Sequence, residues 1–345
     1  MAETEGIDHE RVSAWFAENI PDATPPLTFE LVAGGRSNLT FRVEDQAGHT
    51  FVLRRPPTGH VLPTAHDMGR EYRIIAALGP TPVPVPAALG FCDDESVNGR
   101  PFYVMGYVDG TVVRDAPSAE KELDEQTRRT AGRSLAEVLA DIHAVDVDAV
   151  GLGDLGRREG YIERQVKRWY GQFTQSNGET GRPVPLVDEV HDFLLAHVPE
   201  QGPATIVHGD YRLDNLMLGA DGRVKAVLDW ELCTLGDPLA DVGLLMVYWA
   251  EADDEFSALG QAPTTVAGFP TRADLRAMYA ERSGRDLSQL DFYVAFGYWK
   301  LACILEGVYA RYSGGAMGGD RSGFEVFAES VVKLAQAAKD ATSRL

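Results

Sequence analysis

The sequence predicts an α+β protein of two lobes, a small antiparallel sheet followed by a larger and mainly helical part. Three observations carry this expectation. A chain of 345 residues exceeds what one ordinary hydrophobic core supports, which favours two packed units. Up to about Tyr107, short β-prone runs alternate with turn residues, whereas the chain beyond it repeats apolar residues mostly at helical spacing. The exception in the second part is Ile206 to Leu244, where apolar runs of strand length flank the turn Ala220-Asp221-Gly222 and carry polar groups at their ends.

The elements follow in order. Residues 7–20 place Ile7, Val12, Trp15, Phe16 and Ile20 near one helical face, and Pro21 stops that helix. Leu27 to Val32 reads as a strand, Gly34-Gly35-Arg36-Ser37-Asn38 as a turn, and Leu39 to Val43 as the returning strand. A glycine turn between strands allows backbone N–H groups to approach phosphates. This one lacks the full G-x-G-x-x-G pattern, and an ordinary hairpin turn has the same composition. A further strand, Thr50 to Arg55, ends in the basic pair Arg54-Arg55. After an irregular proline-containing loop, Asp67 to Leu78 reads as a helix with Met68, Tyr72, Ile75 and Leu78 on one side, and it carries Glu71. The proline-rich stretch from Thr81 to Pro86 leads to strands at Ala87–Cys92 and Pro101–Met105. The glycine-containing connection Gly106-Tyr107-Val108-Asp109-Gly110 then places the boundary near Tyr107, giving an N-terminal lobe of residues 1–107 and a C-terminal lobe of residues 108–345.

Beyond the boundary, Ala119 to His143 reads as one long amphipathic helix, with His143 as a C-terminal residue favoured by the helix dipole. Gly151-Leu152-Gly153-Asp154-Leu155-Gly156 matches G-x-G-x-x-G. The preceding Val145-Asp146-Val147-Asp148 is unlike a strand buried on both faces, so the segment reads as a glycine-rich loop and not a dinucleotide site. Gly160 to Tyr170 reads as a helix. There Arg157, Arg164, Lys167 and Arg168 form a cationic stripe beside Tyr161 and Trp169, either a seat for an anionic acceptor such as a coenzyme A thioester or a solvated face paired with Glu159 and Glu163. A polar loop spans Gln172 to Pro185, and a short helix Val187 to His197. Gly236-Asp237-Pro238 reads as a helix entrance with Asp237 as N-cap, and Asp241 lies a turn further on. Helices follow at Arg272–Arg282, Gln289–Tyr312 and Arg321–Ala338, the second with aromatic residues on more than one face.

Composition excludes several classes of function. A formal net charge of −20 disfavours nucleic acid and anionic membrane surfaces as partners. Cys92, Cys233 and Cys303 are few, odd in number and far apart, as expected of reduced thiols and not of a disulfide framework. The N-terminus MAETEGIDHE lacks the order of a signal peptide, and the most apolar stretch, Val242 to Ala250, is too short to span a bilayer. The expectation is a soluble cytoplasmic protein, with its oligomeric state left open.

The chemistry sits between Ile206 and Leu244. Phosphoryl transfer requires a carboxylate to accept the proton of an attacking hydroxyl, and a carboxylate and an amide oxygen to hold a hard cation on the phosphates. Asp210, Asn215 and Asp229 supply that inventory. Two other readings fit the same residues: a surface hairpin whose acids favour turns, and a transition-metal site built from His208, Asp210 and Asp229.

The spacing H-G-D-x4-N, followed by a strand ending in Asp, resembles the aminoglycoside phosphotransferase family, a branch of the protein-kinase-like fold. The stretch HGDYRLDNLML through VLDWELCTLGDPLADVG is similar to the kinase-like domains that occur alone in bacteria or fused to acyl-CoA dehydrogenases. The resemblance implies that Asp210 is the catalytic base, that Asn215 and Asp229 bind Mg²⁺, and that His208 and Asp241 support the loop. It places Gly35, Ser37 and Asn38 in a phosphate-covering turn, and Arg54, where the family's strand usually carries lysine, beside Glu71. The backbone of Gly106 and Val108 would hold adenine. ATP with Mg²⁺ would sit between the lobes and donate its γ-phosphoryl group to a small-molecule hydroxyl, aminoglycoside-like or hydroxyacyl-CoA-like, with Arg164 and Arg168 as acceptor-binding candidates. The alternative is a nucleotide- or acyl-CoA-binding module with little or no kinase activity.

Overall fold

Alternating side chains build the N-terminal sheet of the computed structural model, which describes residues 4–33, 38–58, 67–258, 260–314 and 324–345. Strands β1 (Thr28–Ala33), β2 (Leu39–Glu44) and β3 (Thr50–Arg55) are successive antiparallel neighbours. Strand β5 (Phe102–Gly106) lies between β3 and β4 (Ala88–Cys92), so the order is β1-β2-β3-β5-β4. Period two sends Phe41, Val43, Phe51, Leu53, Phe102 and Val104 into one small core. Helix α1 (His9–Asn19) covers that core with Val12 and Phe16. The intervening residues Tyr103 and Met105 face the opposite way, onto Ile74, Ile75 and Leu78 of α2 (Met68–Leu78), and join the larger core. A short helix α3 (Glu95–Asn98), absent from the sequence-based expectation, joins β4 to β5.

The second lobe departs from expectation in three places. The single long helix is two, α4 (Ala116–Glu122) and α5 (Glu125–His143), because the Asp124 side chain accepts the Thr127 N–H at 2.7 Å and starts a new helix. Helix α6 (Tyr161–Thr180) runs through the polar stretch expected to be a loop. Phe173 anchors this extension in the core, and Gly181, at φ +65°, ends it. After α7 (Pro185–Ala196), strand β6 (Thr205–Val207) pairs with β9 (Thr234–Gly236), a strand too short to leave a periodic signature. Between them lies the expected hairpin of β7 (Leu216–Leu218) and β8 (Val224–Val227). Helices α8 (Leu239–Tyr248), α9 (Arg272–Ser283), α10 (Leu290–Ser313) and α11 (Glu325–Thr342) complete the lobe. Helix α10 packs against α6, α8 and α11, and Phe292, Tyr293, Phe296 and Trp299 are buried there as core.

The connection between lobes is stitched to the hairpin. Thr111 and Leu218 exchange N–H···O bonds of 2.8 and 2.9 Å, and a Cβ at Gly110 would stand 2.5 Å from the Leu218 carbonyl oxygen. Among the described residues no helix is long and apolar enough to cross a membrane. The three cysteines are unpaired and buried.

Candidate active site

The loop after β6 is held from beneath by one buried carboxylate. Asp241, in the first turn of α8 and 1% exposed, accepts the His208 N–H at 2.7 Å and the Gly209 N–H at 2.8 Å. Gly209 has φ +87°, a conformation that favours glycine, and a Cβ there would meet the Leu232 carbonyl oxygen at 3.0 Å. Burial pushes the Asp241 carboxyl up, but the His143 hydrogen bond, the charges of His143 and His208 and the Gly209 amide outweigh it, and the carboxyl lies below the usual range.

His143 does not act as a solvated helix terminus. Its ring turns inward, Nε2 3.3 Å from Asp241 and Nδ1 2.8 Å from the Tyr279 hydroxyl, and burial pushes its pKa down despite Asp241. A protonated imidazole favoured by the dipole alone is displaced by this buried, specific pairing. His208 is fully buried, with Nε2 3.0 Å from the Leu228 carbonyl oxygen and Nδ1 accepting the Asp210 N–H at 3.3 Å. Both ring nitrogens are committed, which removes His208 as a transition-metal ligand.

Asp210 is half-buried, with both carboxylate oxygens engaged. The Tyr248 hydroxyl donates to Oδ1 at 2.7 Å, and the Asn215 amide donates to Oδ2 at 3.0 Å and to the Asp210 carbonyl oxygen at 2.8 Å. Burial, with Asp210 adjacent, pushes the Tyr248 phenol well above its usual range, so it stays a donor. Arg212 lies over the Tyr248 ring at 5.3 Å, with Nε 3.6 Å from Asp210 and Nη2 2.9 Å from Asp214.

Asn215 also links the loop to Asp229, since its carbonyl oxygen accepts the Leu228 N–H at 2.8 Å. Asp229 has φ 64° and ψ 65°, a left-handed backbone rare outside glycine and frequent where a side chain is aimed for function. Its Oδ1 receives Arg54 Nη2 at 2.5 Å. With the Asn215 nitrogen committed to Asp210, its amide oxygen and the Asp229 carboxylate are hard-oxygen groups of the kind that Mg²⁺ takes.

Arg54 also reaches Glu71, Nε to Oε2 at 3.2 Å, outside hydrogen-bond alignment. Tyr103 donates to Glu71 Oε2 at 3.1 Å and the Asn38 amide to Oε1 at 3.0 Å. Burial pushes the Glu71 carboxyl up to about 7, with Arg54 opposing and Asp229 and Glu231 reinforcing. Arg54 is itself raised by Glu71 and Asp229 against its own burial. The two shifts differ because one guanidinium serves two carboxylates, and Glu71 is the more buried of them.

The remaining expected residues divide. Gly35 and Ser37 lie outside the described residues. The Gly106 N–H is taken by the Ala87 carbonyl oxygen at 2.8 Å, and Val108 lies on the connection just beyond β5. Arg168 lines a pocket of about 450 Å³ beside Gly209, whereas Arg164 does not line it and donates to the Arg157 carbonyl oxygen at 2.6 Å. Tyr248, Arg212 and Lys300 escaped the sequence reading. The one signal for Tyr248 is its spacing, two helical turns from Asp241 on α8.

Residues 28–293 match the phosphotransferase enzyme family. Acyl-CoA dehydrogenase family member 10 of Mus musculus is 37% identical over 293 residues, 84% of this chain and 27% of that protein. The chain spans between 27% and 41% of the length of the first curated relatives it matches. A solved structure from Ralstonia eutropha, described as a candidate aminoglycoside phosphotransferase, superposes with a TM-score of 0.82 at 33% identity and 98% coverage of both chains. An aminoglycoside phosphotransferase solved with AMP-PNP and hygromycin B shares the fold at 15% identity and a TM-score of 0.60, over 97% of this chain and 98% of that one.

Proposed function

The chain belongs to the phosphotransferase enzyme family, and from that premise we propose that it transfers the γ-phosphoryl group of ATP to a hydroxyl of a small molecule. The observation that carries this reading is the holding of Asp210: Tyr248 and Asn215 fix its two oxygens at the mouth of the hairpin that also bears Asp229. In the reaction, the acceptor oxygen bonds to the γ-phosphorus as the bond to the bridging oxygen of ADP breaks, and the hydroxyl proton passes to Asp210. Asn215 and Asp229 would hold Mg²⁺, which when bound neutralises charge on the phosphates. Arg54 supplies a fixed positive charge from the sheet, anchored by Glu71, in place of the usual lysine. His208 and Asp241 keep the loop in register. The connection at Val108 borders the place for the base, and the Asn38 amide donates to Glu71.

The acceptor is aminoglycoside-like or hydroxyacyl-CoA-like, the first supported by the solved neighbours and the second by the names of the curated relatives. One observation favours a second reading, a nucleotide- or acyl-CoA-binding module with little catalysis. Arg54 lies directly on Asp229, one of the two groups that would hold the metal.

The test is ADP release across hydroxylated acceptors, aminoglycosides and hydroxyacyl-CoA esters included. The expected result is acceptor-dependent release that falls by about two orders of magnitude or more in Asp210→Ala, while ATP still protects the variant against thermal unfolding. ATP protection without acceptor-dependent ADP release from any acceptor would leave the binding module as the surviving reading.

A further inference from the structure

Three cations line the pocket beside Gly209, and among the described residues none has a carboxylate within ion-pair distance. Arg70, on α2, donates to the carbonyl oxygens of Leu155 and Cys233 at 2.9 and 2.7 Å, so its charge is positioned but not neutralised. Arg168, on α6, has an exposed side chain lying 5.0 Å over the Trp169 ring. Lys300, on α10, is 7% exposed; it donates to the Gly209 carbonyl oxygen at 3.0 Å and lies 5.6 Å from the Trp169 ring. An ammonium has three donors, and this one spends a single donor on a protein oxygen.

Burial and the charge of Arg168 lower the Lys300 pKa against the attraction of Asp210 and Asp241, neither of which reaches ion-pair distance. The acids on the same wall are otherwise occupied. Asp67 caps α2 by accepting the Arg70 N–H at 2.9 Å, Glu71 holds Arg54, and Glu231 approaches the Asn38 amide at 3.5 Å. The wall formed by α6 and α10 is therefore cationic and apolar, and it ends at the residue preceding Asp210.

We propose that this pocket seats an anionic group of the acceptor, a carboxylate or a phosphate, between Lys300 and Arg168, so that the acceptor hydroxyl is presented to Asp210. The presentation to Asp210 rests on the phosphotransfer reading; the anion seat does not. A polycationic acceptor would bring ammonium groups against three cations that no carboxylate contacts among the described residues, so the same wall selects against it.

The experiment measures binding, with ADP and Mg²⁺ present so that the nucleotide's own phosphates fill their place. Thermal shift and calorimetric titration compare glycerol 3-phosphate and 3-hydroxybutyrate, as phosphate and carboxylate probes, with neutral glycerol and cationic kanamycin at matched ionic strength. The expected result is stabilisation by at least one anionic probe, none by glycerol or kanamycin, and a dissociation constant raised about tenfold in Arg168→Gln and in Lys300→Met. Should Lys300→Met fail to fold, as judged by circular dichroism, Arg168→Gln, whose side chain is exposed, decides the matter. No stabilisation by either anion, or equal stabilisation in wild type and variants, overturns the proposal. Anion binding lost in the variants, with no ADP release from any acceptor, keeps the seat and refutes the phosphotransfer reading instead.

Discussion

Arg54 and Asp229, 175 residues apart in the chain, meet at 2.5 Å where the sheet faces the hairpin. The same guanidinium lies 3.2 Å from Glu71. A planar fork reaches two carboxylates at once, which the point charge of a lysine does less well. Arg54 thereby ties the third strand, the first helix of the sheet lobe's inner face and the hairpin into one charge cluster.

Removing that charge tests its part in nucleotide binding. Arg54→Ala is expected to raise KM for ATP about tenfold or more, the worth of one charge-assisted contact to phosphate, with Arg54→Lys between the two. Initial rates at varied ATP give the answer. An unchanged KM in the alanine variant would detach Arg54 from the nucleotide and leave it a structural tie.

Glu71 gives the cluster a pH dependence of definite sign. Burial raises its carboxyl from 4.5 to about 7 in the folded chain, so the folded state holds a proton that the unfolded state has released. Its contribution to stability is complete below the unfolded value and is lost as pH rises through about 7. Glu71→Gln removes this titration. Relative to wild type, the variant's unfolding free energy is expected to improve between about pH 5 and pH 8, by up to a few kcal/mol. Denaturant melts across that range would show a constant difference if Glu71 were ordinary.

Much of this arrangement was legible in the sequence because its signals are local. Strand alternation from Thr50 to Arg55 and the turn Ala220-Asp221-Gly222 specify their own geometry within a few residues. The pairing of Arg54 with Glu71 was legible only through resemblance, since neither residue has a neighbour in the chain that marks it. What escaped depends on distant partners. Nothing near His143 announces that Asp241 and Tyr279 will surround its ring, and the lysine at 300 on an apolar helix gives no hint of the Gly209 carbonyl it meets. The helix break at Asp124 was readable as an N-cap signal, but the apolar periodicity running through it concealed the break.

Asp241 supplies the loop with its only charged acceptor among the described hydrogen bonds to the His208 and Gly209 amides. Asp241→Asn leaves one of these donors facing an amide nitrogen and is expected to destabilise the protein by about 2–4 kcal/mol at neutral pH. Its folded carboxyl is lowered, so the stabilisation is present above the unfolded value and lost as pH falls through the folded one. The difference between variant and wild type should therefore narrow in acid. Urea melts at neutral and acidic pH measure both parts, and a gap that widens in acid would contradict the assignment.

Tyr248 separates positioning from binding most cleanly. Its hydroxyl is 2.7 Å from Asp210 Oδ1, while its ring packs under Arg212. Tyr248→Phe keeps the ring and removes one hydrogen bond to a carboxylate, a change worth about 1.5–3 kcal/mol when it acts on an ionised group. If the bond is equally present before and during proton transfer, only stability changes. If it fixes the rotamer from which Asp210 takes the proton, kcat falls about tenfold to a hundredfold with KM for ATP unchanged. We expect the second outcome, since Asn215 alone cannot fix both oxygens. A variant with lowered melting temperature but wild-type kcat would show that the tyrosine serves packing alone.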